Sequence, residues 1–294
     1  MGALMLAPPA HAVLVYSRPA PSGERDAPIV AARNDGSDAR VIANGFAPRV
    51  SPSGGRIAYL KTTEGSVDLH VVGNRGARRQ RLARRTFDLG PFSPIAWSPD
   101  SRYVVIPDPY PDARLVDVRQ GTTRRIRAGD QDDFVGASFD PEGGRFVIAR
   151  AFPREPDPQL TVVAVRGRER RGLGVGDLPV WGRPGLAFSR TGKVLLRKRI
   201  GERAKTLLRR SAYSLDWSDD GDRLLTYVPR TGETVVIDLS PRRVTTIPER
   251  LFPSQLSDDG KHILGEAGGN VVVRRPSGTV DVLAEDATRP SWTK

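Results

Sequence analysis

The sequence predicts an all-β protein, a β-propeller of four-stranded blades, and three observations support this prediction. One unit recurs along the chain: an aromatic or apolar residue, a Ser-Pro-Asp-Gly-like turn, a basic residue and a short apolar strand. Successive units lie 36–47 residues apart, and a propeller blade typically takes about 40–45 residues. All four tryptophans of the chain fall on the first position of this unit. Chance would scatter them, so the unit is a structural repeat.

The repeat position is the first residue of each unit, and the chemistry of the turn that follows it explains its composition. Pro fixes φ, Asp hydrogen-bonds to neighbouring backbone, and Gly accepts positive φ. In chain order, the repeat position is occupied by Val50, Trp97, Phe139, Trp181, Trp217, Leu256 and Trp292. We expect these side chains to lie between adjacent sheets as structural residues, rather than to stack on a cofactor.

The number of units predicts seven blades, with six as the alternative. The unit at Trp292 has no strands after it. We expect the N-terminal strand Val13–Tyr16 to join this C-terminal blade and close the ring, which leaves only short, protected edges. Residues 13–294 would then form a single propeller domain.

The clearest copy of the unit is Trp97-Ser98-Pro99-Asp100-Ser101-Arg102 followed by an apolar strand. It resembles the WD-like repeat of TolB-type propellers, and this resemblance extends over residues 13–294. It implies a propeller fold and a partner-binding module outside the cytoplasm. It says little about function, because the same repeat serves many roles.

Residues 1–12 resemble the end of a secretory signal. A short apolar run leads to Ala10-His11-Ala12, a small-x-small cleavage pattern. The basic region that begins such signals is missing, as it would be if the true start codon lay upstream. A mildly apolar tail is the alternative interpretation. We expect a periplasmic or secreted protein without a transmembrane segment, because no apolar run reaches about 18 residues.

The sequence contains no recognisable catalytic set. The chain has no cysteine, which excludes disulfides, thiol catalysis and cysteine–metal sites. Nucleophile elbows, phosphate-binding loops, dinucleotide fingerprints and zinc-protease motifs are all missing. His70 and His262 fall in different repeats, and we interpret both as structural. We therefore predict no catalytic residue, no metal, no cofactor and no enzymatic activity.

A channel-sited enzyme acting on a glycan is one alternative. Such an enzyme needs two carboxyl groups that face each other across the substrate. The carboxylates just before predicted innermost strands are Asp132, Asp133, Asp177 and Asp286. We favour solvated loop residues for these positions.

A binder of nucleic acid or of another anionic polymer is the second alternative. The chain has 46 Lys and Arg against 34 Asp and Glu, for a net charge of +12, and only six of the cations are lysine. Basic runs lie at residues 78–85 and 193–210. Nucleic-acid binding favours interleaved aromatic residues, and the second run contains none. We expect solvated blade edges there and no nucleic-acid partner.

The best candidate surface combines aromatic residues with proline-rich loops on one face of the propeller. Aromatic residues stand four or five positions before the repeat position at Phe46, Phe92, Phe134, Tyr213 and Phe252. The proline-rich loops 107–112 and 152–158 should share that face, and stiff loops lose little entropy on binding. Our candidate partner-binding residues are Phe92, Tyr110, Phe134, Phe152, Arg154 and Tyr213. Packing between blades is the alternative for the aromatic set. The hypothesis is a monomeric, non-enzymatic platform of the cell envelope that binds a protein or peptide.

Overall fold

The computed structural model describes residues 13–22, 24–64, 66–86, 95–107, 112–126, 133–151 and 157–293, without the side chains of residues 85–86 and 133–135. These residues form 27 β-strands. No helix among them is long and apolar enough to cross a membrane. The predicted signal remnant, residues 1–12, lies outside the described residues.

The first six strands pair in chain order as an antiparallel meander. They are β1 (Val13–Ser17), β2 (Ala27–Arg33), β3 (Arg40–Val50), β4 (Arg56–Thr63), β5 (Ser66–Gly73) and β6 (Gln80–Thr86). Their runs of valine, isoleucine and threonine favour strands, because branched side chains pack well on a pleated surface.

Five separate four-stranded antiparallel sheets follow in the described part of the chain. The second sheet contains β7 (Ala96–Trp97), β8 (Tyr103–Pro107), β9 (Ala113–Asp117) and β10 (Thr122–Ile126). The third contains β11 (Asp133–Phe139), β12 (Arg145–Ala151), β13 (Gln159–Ala164) and β14 (Arg170–Val175). The fourth contains β15 (Asp177–Gly182), β16 (Gly185–Arg190), β17 (Lys193–Arg197) and β18 (Lys205–Leu208). The fifth contains β19 (Leu215–Trp217), β20 (Arg223–Val228), β21 (Glu233–Leu239) and β22 (Arg242–Ile247). The sixth contains β23 (Phe252–Leu256), β24 (Ile263–Ala267), β25 (Asn270–Arg274) and β26 (Val280–Ala284).

The two ends of the described chain meet in one sheet. The last strand, β27 (Thr288–Trp292), pairs antiparallel with β1, and Leu14 lies opposite Trp292. The amide of Thr293 donates to the carbonyl of Val13 at 2.9 Å, and the Val13 amide donates to Thr293 Oγ1 at 2.9 Å. The N-terminal strand thus pairs with the C-terminal repeat. We call the resulting seven-stranded sheet, β27-β1-β2-β3-β4-β5-β6, the N-terminal sheet.

The predicted count of seven blades, or six, is wrong. The described chain has five four-stranded blades plus the N-terminal sheet. The cause is β3, an 11-residue strand. Its first half pairs with β2 as far as Gly45, and its second half pairs with β4 from Phe46 onward. Because β3 is continuous, it joins the strands of two repeats into one sheet.

The hydrophobic core is divided among the sheet boundaries. One cluster fills each contact between neighbouring sheets, and a further cluster packs β1 and β2 against β4 and β5 inside the N-terminal sheet. The repeat-position side chains belong to these clusters. Phe139, Trp217 and Trp292 are buried, and Trp97 and Trp181 are half-buried.

The repeat turns are held by one recurring hydrogen-bond pattern. The serine after the repeat position donates through Oγ to the aspartate two residues later, at 2.6 Å in Ser98–Asp100 and Ser218–Asp220. The same Oγ accepts the amide five residues later, at 2.8 Å for Ser98 and 3.0 Å for Ser218. The aspartates of these repeat turns are therefore turn residues. Gly221, with φ of 82°, supplies the left-handed residue that the turn requires.

Candidate functional site: the central cavity and its two faces

Seven strands surround a cavity of about 570 Å³ at the centre of the molecule. They are β3, β7, β11, β15, β19, β23 and β27. Repeat-turn residues such as Pro52, Pro99 and Pro141 line it as well. We call the face that carries these turns the turn face. The opposite face, where the chain leads into the innermost strands, is the link face.

The innermost strands are bonded to one another by the side chain just before the repeat position. Ser138 Oγ accepts the amide of Trp181 at 2.8 Å. The equivalent residues Asp216 and Gln255 accept the amides of Leu256 at 2.7 Å and Trp292 at 2.9 Å. These bonds tie β11 to β15, β19 to β23 and β23 to β27. The residue before the repeat position is polar in five of the seven units, and this sequence signal could have predicted the bonds.

The indole groups add a second set of bonds between the innermost strands. Trp97 Nε1 donates to the carbonyl of Arg49 at 3.1 Å, and Trp217 Nε1 donates to that of Val180 at 3.3 Å. All four tryptophans contribute to the lining of the cavity. The repeat position therefore both packs between sheets and forms the walls of the cavity.

Arg49, on β3, brings a positive charge into the cavity. Burial lowers the pKa of Arg49 to about 10, while Asp216 raises it and Arg289 lowers it further. Glu266 is an acid close to Arg49, so burial shifts its pKa in the opposite direction and raises it. The cavity thus contains one charged group, Arg49, that is poorly solvated.

On the link face, three aromatic side chains from two neighbouring sheets touch one another. The ring centroids of Tyr227 and Phe252 are 4.9 Å apart, and those of Tyr213 and Phe252 are 6.2 Å apart in an edge-to-face arrangement. The amide of Tyr213 donates to the carbonyl of Tyr227 at 2.9 Å, which holds the link beside the end of β20. We call these three residues the aromatic patch.

Two members of the aromatic patch are unusually exposed for their type. Tyr213 and Phe252 each retain 37% of their accessible surface. The described residues contain three other exposed large apolar side chains: Val41, Val244 and Val282. Contiguous exposed aromatic surface on a folded domain is typical of a binding site.

The other aromatic and candidate binding residues are either buried or not described by the structure. Phe46 is only 3% exposed and packs in the core, with the Arg25 guanidinium 4.5 Å from its ring centroid. Phe134 lies in β11, but its side chain is not among those described. The remaining candidates lie outside the described residues: Phe92, Tyr110, Phe152 and Arg154. Of the six candidates, the structure shows the side chain of Tyr213 alone, and the prediction missed Tyr227.

The links around the aromatic patch carry an excess of positive charge. The acids there are paired: Glu233 with Arg210 at 2.8 Å, and Glu249 with Arg274 at 2.8 Å. Three exposed arginines of the same links have no ion-pair partner in the described part of the chain. They are Arg209, Arg230 and Arg250.

The carboxylates proposed for glycan chemistry are spread over different links. Asp177 begins β15, and its Oδ1 accepts the Leu178 amide at 2.6 Å; burial raises the pKa of Asp177. Asp286 is exposed before β27. Asp133 begins β11 without a described side chain, and Asp132 lies outside the described residues.

A second cavity, of about 710 Å³, lies on the turn face between the N-terminal and sixth sheets. Its carboxylates are bound locally. Asp35 accepts from Ser37, Asp259 accepts from Ser257 and the Lys261 amide, and Asp281 pairs with Arg275.

The two histidines have different surroundings. The His70 ring stacks on Tyr59 with centroids 5.4 Å apart. Neither ring nitrogen of His70 nor the Tyr59 hydroxyl has a hydrogen-bond partner among the described residues. Burial lowers the pKa of His70, Asp68 opposes this effect, and three nearby cations lower it further: Lys61, Arg81 and Arg79. The amide of His262 donates to Ser257 Oγ at 3.0 Å, within a repeat turn.

Many arginines bond to backbone carbonyls of the neighbouring sheet. Arg124, on β10, donates to three carbonyls of the third sheet at 2.6–2.9 Å. Arg242, on β22, donates to two carbonyls of the fourth sheet at 2.6 and 3.1 Å. Arg114, Arg197 and Arg223 make similar bonds between sheets. Part of the high arginine content therefore stabilises the fold.

Comparison with known proteins identifies the fold. No protein-family profile matches the sequence, and no curated protein matches it. TolB from Acinetobacter baumannii superposes with a TM-score of 0.59 at 13% identity, over 96% of this chain and 66% of TolB. The chain therefore spans about two thirds of TolB. The fold is that of a β-propeller, and TolB is among its structural neighbours.

Two further neighbours have different activities. An oligogalacturonate lyase in complex with manganese superposes with a TM-score of 0.64 at 12% identity, covering 92% of this chain and 84% of the lyase. A chain of a nidogen–laminin complex gives a TM-score of 0.54 at 12% identity, covering 96% and 98%. At these identities the comparison establishes the fold alone, and function has to be argued from the site.

Proposed function

We propose that this propeller is a non-enzymatic binding platform that holds an acidic segment of a protein partner on its link face. The aromatic patch carries the proposal. Tyr213 and Phe252 are exposed, touch each other edge to face, and lie on neighbouring sheets. Aromatic anchors of this kind supply most of the energy in protein interfaces.

The charge around the aromatic patch defines the chemistry of the partner. Arg209, Arg230 and Arg250 are exposed in the surrounding links, and the chain as a whole carries a net charge of +12. Complementary charge speeds association and selects partners. The partner segment is therefore acidic and places an apolar side chain on the rings of Tyr213 and Phe252.

The platform acts outside the cytoplasm, as a monomer, and without chemistry of its own. The Ala10-x-Ala12 pattern supports export. The turn bonds of Asp100 and Asp220 support a structural role for the repeat carboxylates. The nidogen–laminin complex is a precedent for this fold in a protein assembly.

The test measures binding of labelled acidic peptides to the full chain by fluorescence anisotropy. One peptide carries a central Trp-Pro pair, a second has Ala-Ala there, and polyglutamate has charge alone. We expect the Trp-Pro peptide to bind most tightly. The double variant Tyr213→Ala/Phe252→Ala should lose about 2–4 kcal/mol of binding energy, about a 30-fold or larger loss of affinity.

The matched control is Val244→Ala, which shortens an exposed apolar side chain on β22. It should bind the Trp-Pro peptide as the native chain does. Equal affinity for polyglutamate and the Trp-Pro peptide, with a steep fall in salt, would favour a general binder of anionic polymers instead. An envelope protein captured by the chain supports the proposal only if the Trp-Pro peptide displaces it.

A further inference from the structure

Arg49 holds a positive charge inside the central cavity with most of its hydrogen-bonding capacity unused. A guanidinium has five N–H donors. Among the described residues, the Arg49 side chain makes one hydrogen bond, from Nη1 to the carbonyl of Pro290 at 3.4 Å. Burial of a charge is costly unless partners replace the lost water. The remaining donors of Arg49 are therefore available to a ligand.

The carboxylates closest to this charge already accept bonds from the backbone. Asp216 Oδ2 accepts the Leu256 amide at 2.7 Å, and Glu266 Oε1 accepts the Arg289 amide at 2.7 Å. Both attract Arg49 electrostatically, while Arg289 repels it. The two carboxylates therefore offset the charge of Arg49 electrostatically, and each has one oxygen occupied by a backbone amide.

The walls of the cavity combine flat aromatic surface with polar side chains, which suits a flat molecule that carries a polar group. Trp97, Trp181, Trp217 and Trp292 all contribute to the lining, and the cavity measures about 570 Å³. Small-molecule sites are commonly apolar clefts of about 300–1,000 Å³ with a few polar groups that fix orientation. Arg183, in the repeat turn after Trp181, adds a second cation at the turn face, and Asp219, in the turn after Trp217, adds a carboxylate there.

We propose that the central cavity is a binding site for a carboxylate-bearing ligand that enters from the turn face. The carboxylate pairs with the Arg49 guanidinium, whose planar donors match two carboxylate oxygens. The body of the ligand lies against the indole groups. This site is on the opposite face from the aromatic patch, so it does not depend on the proposed partner.

Benzoate is a suitable first probe, with benzamide as its neutral counterpart of equal shape. All four tryptophans of the chain line this cavity, so intrinsic fluorescence and the indole N–H signals report on it. Trp292 also lines the second cavity, so the indole signals of Trp97, Trp181 and Trp217 identify the site. We expect saturable changes with benzoate and at least about tenfold weaker binding of benzamide, because charge-assisted hydrogen bonds are about twice as strong as neutral ones. Equal responses to the two compounds would overturn the proposal.

Two variants should change benzoate affinity in opposite directions. Arg49→Gln removes the charge and should weaken binding by about tenfold or more. Asp216→Asn keeps an oxygen acceptor for the Leu256 amide but removes a competing carboxylate, so it should tighten binding. Arg243→Gln removes one exposed charge from β22 and should leave binding unchanged. Native affinity in Arg49→Gln would refute the role of the guanidinium.

Two questions need separate controls: whether Arg49→Gln folds, and whether the carboxylate that binds belongs to a small acid or to a chain terminus. If Arg49→Gln does not fold, the benzamide comparison and Asp216→Asn still decide the question. A peptide that ends in phenylalanine, as free acid and as amide, distinguishes a chain terminus from a small acid. If the free-acid peptide displaces benzoate at a lower concentration than benzoate itself requires, the source is a chain terminus. Tyr213→Ala/Phe252→Ala should bind benzoate normally, so this proposal and the proposed function can fail independently.

Discussion

Replacing Arg124 tests whether the arginine-rich composition stabilises the fold. Arg124 joins the second sheet to the third. Its Nη1 donates to the carbonyl of Gly167 at 2.6 Å, and its Nη2 donates to the carbonyls of Ala164 and Val165 at 2.8 and 2.9 Å. Lysine has the same charge, but its single ammonium cannot reproduce the planar fork that reaches several carbonyls. Arg124→Lys therefore removes the geometry and keeps the charge.

The expected loss follows from these bonds and from their exposure. A hydrogen bond to a charged group contributes about 1.5–3 kcal/mol when it is well shielded. Arg124 is half-buried, so water competes for it and ammonium bonds replace part of the loss. We expect Arg124→Lys to lower the free energy of unfolding by about 2 kcal/mol. For a chain of 294 residues, that corresponds to a fall in Tm of about 3 °C.

The assay is urea unfolding followed by circular dichroism, at low and high salt. Because the acceptors are carbonyls rather than carboxylates, we expect the loss to be similar at both salt concentrations. The control is Arg243→Lys, at an exposed arginine of β22 that has no partner in the described part of the chain. A loss in Arg124→Lys no larger than that of the control would refute a structural role. A loss confined to low salt would mean that the arginine acts through charge.

Two further predictions concern the turns and the half-buried His70. Ser218→Ala deletes the Oγ that bonds to Asp220 at 2.6 Å and should cost about 1–3 kcal/mol in denaturant unfolding, because Ser218 is buried. Ser277→Ala, in an exposed turn, should cost much less, and equal costs would contradict the turn argument. Burial lowers the pKa of His70, so the unfolded chain takes up its proton at higher pH than the folded protein does. Stability should therefore fall as the pH drops below about 6.5 and level off below the folded pKa; His70→Leu should flatten this dependence in unfolding measured from pH 8 to pH 5, and an unchanged slope would exclude His70.

The repeat pattern predicted the features that depend on local chemistry. Trp217 follows the pattern, is buried, and packs at the boundary between the fourth and fifth sheets. The turn after it has the hydrogen bonds that its Ser-x-Asp residues imply. The pairing of β1 with β27 was predictable because the last unit lacked strands that the first residues could provide. In the turns, a few neighbouring residues determine the outcome, whereas the pairing of β1 with β27 follows from the number of strands that each unit contains.

The features that the sequence did not predict depend on contacts between distant residues. The repeat shows where each unit starts, but it does not show whether one strand continues from the preceding unit into the next. β3 does continue in this way, and it joins the strands of two repeats into one sheet. The bonds of Arg124 to the third sheet depend on the packing of two sheets, and the sequence shows only another basic residue. The role of Tyr227 depends on the neighbouring sheet, which brings Phe252 onto its ring.

Phe46 and Phe252 show why the aromatic set could not be resolved from sequence. Both stand four positions before a repeat position, yet Phe46 is 3% exposed and Phe252 is 37% exposed. Phe46 sits in the middle of β3, opposite Leu60, where the strand passes from one neighbour to the next and its side chain faces the second sheet. Phe252 is the first residue of β23, directly after an exposed link, and its only aromatic neighbours in the described part of the chain are Tyr213 and Tyr227. The same spacing therefore gives a core residue where the strand is continuous and a surface anchor where the strand begins. A binding surface on this propeller is consequently expected at the fifth and sixth sheets, where Tyr213 precedes β19 and Phe252 begins β23, and not at β3.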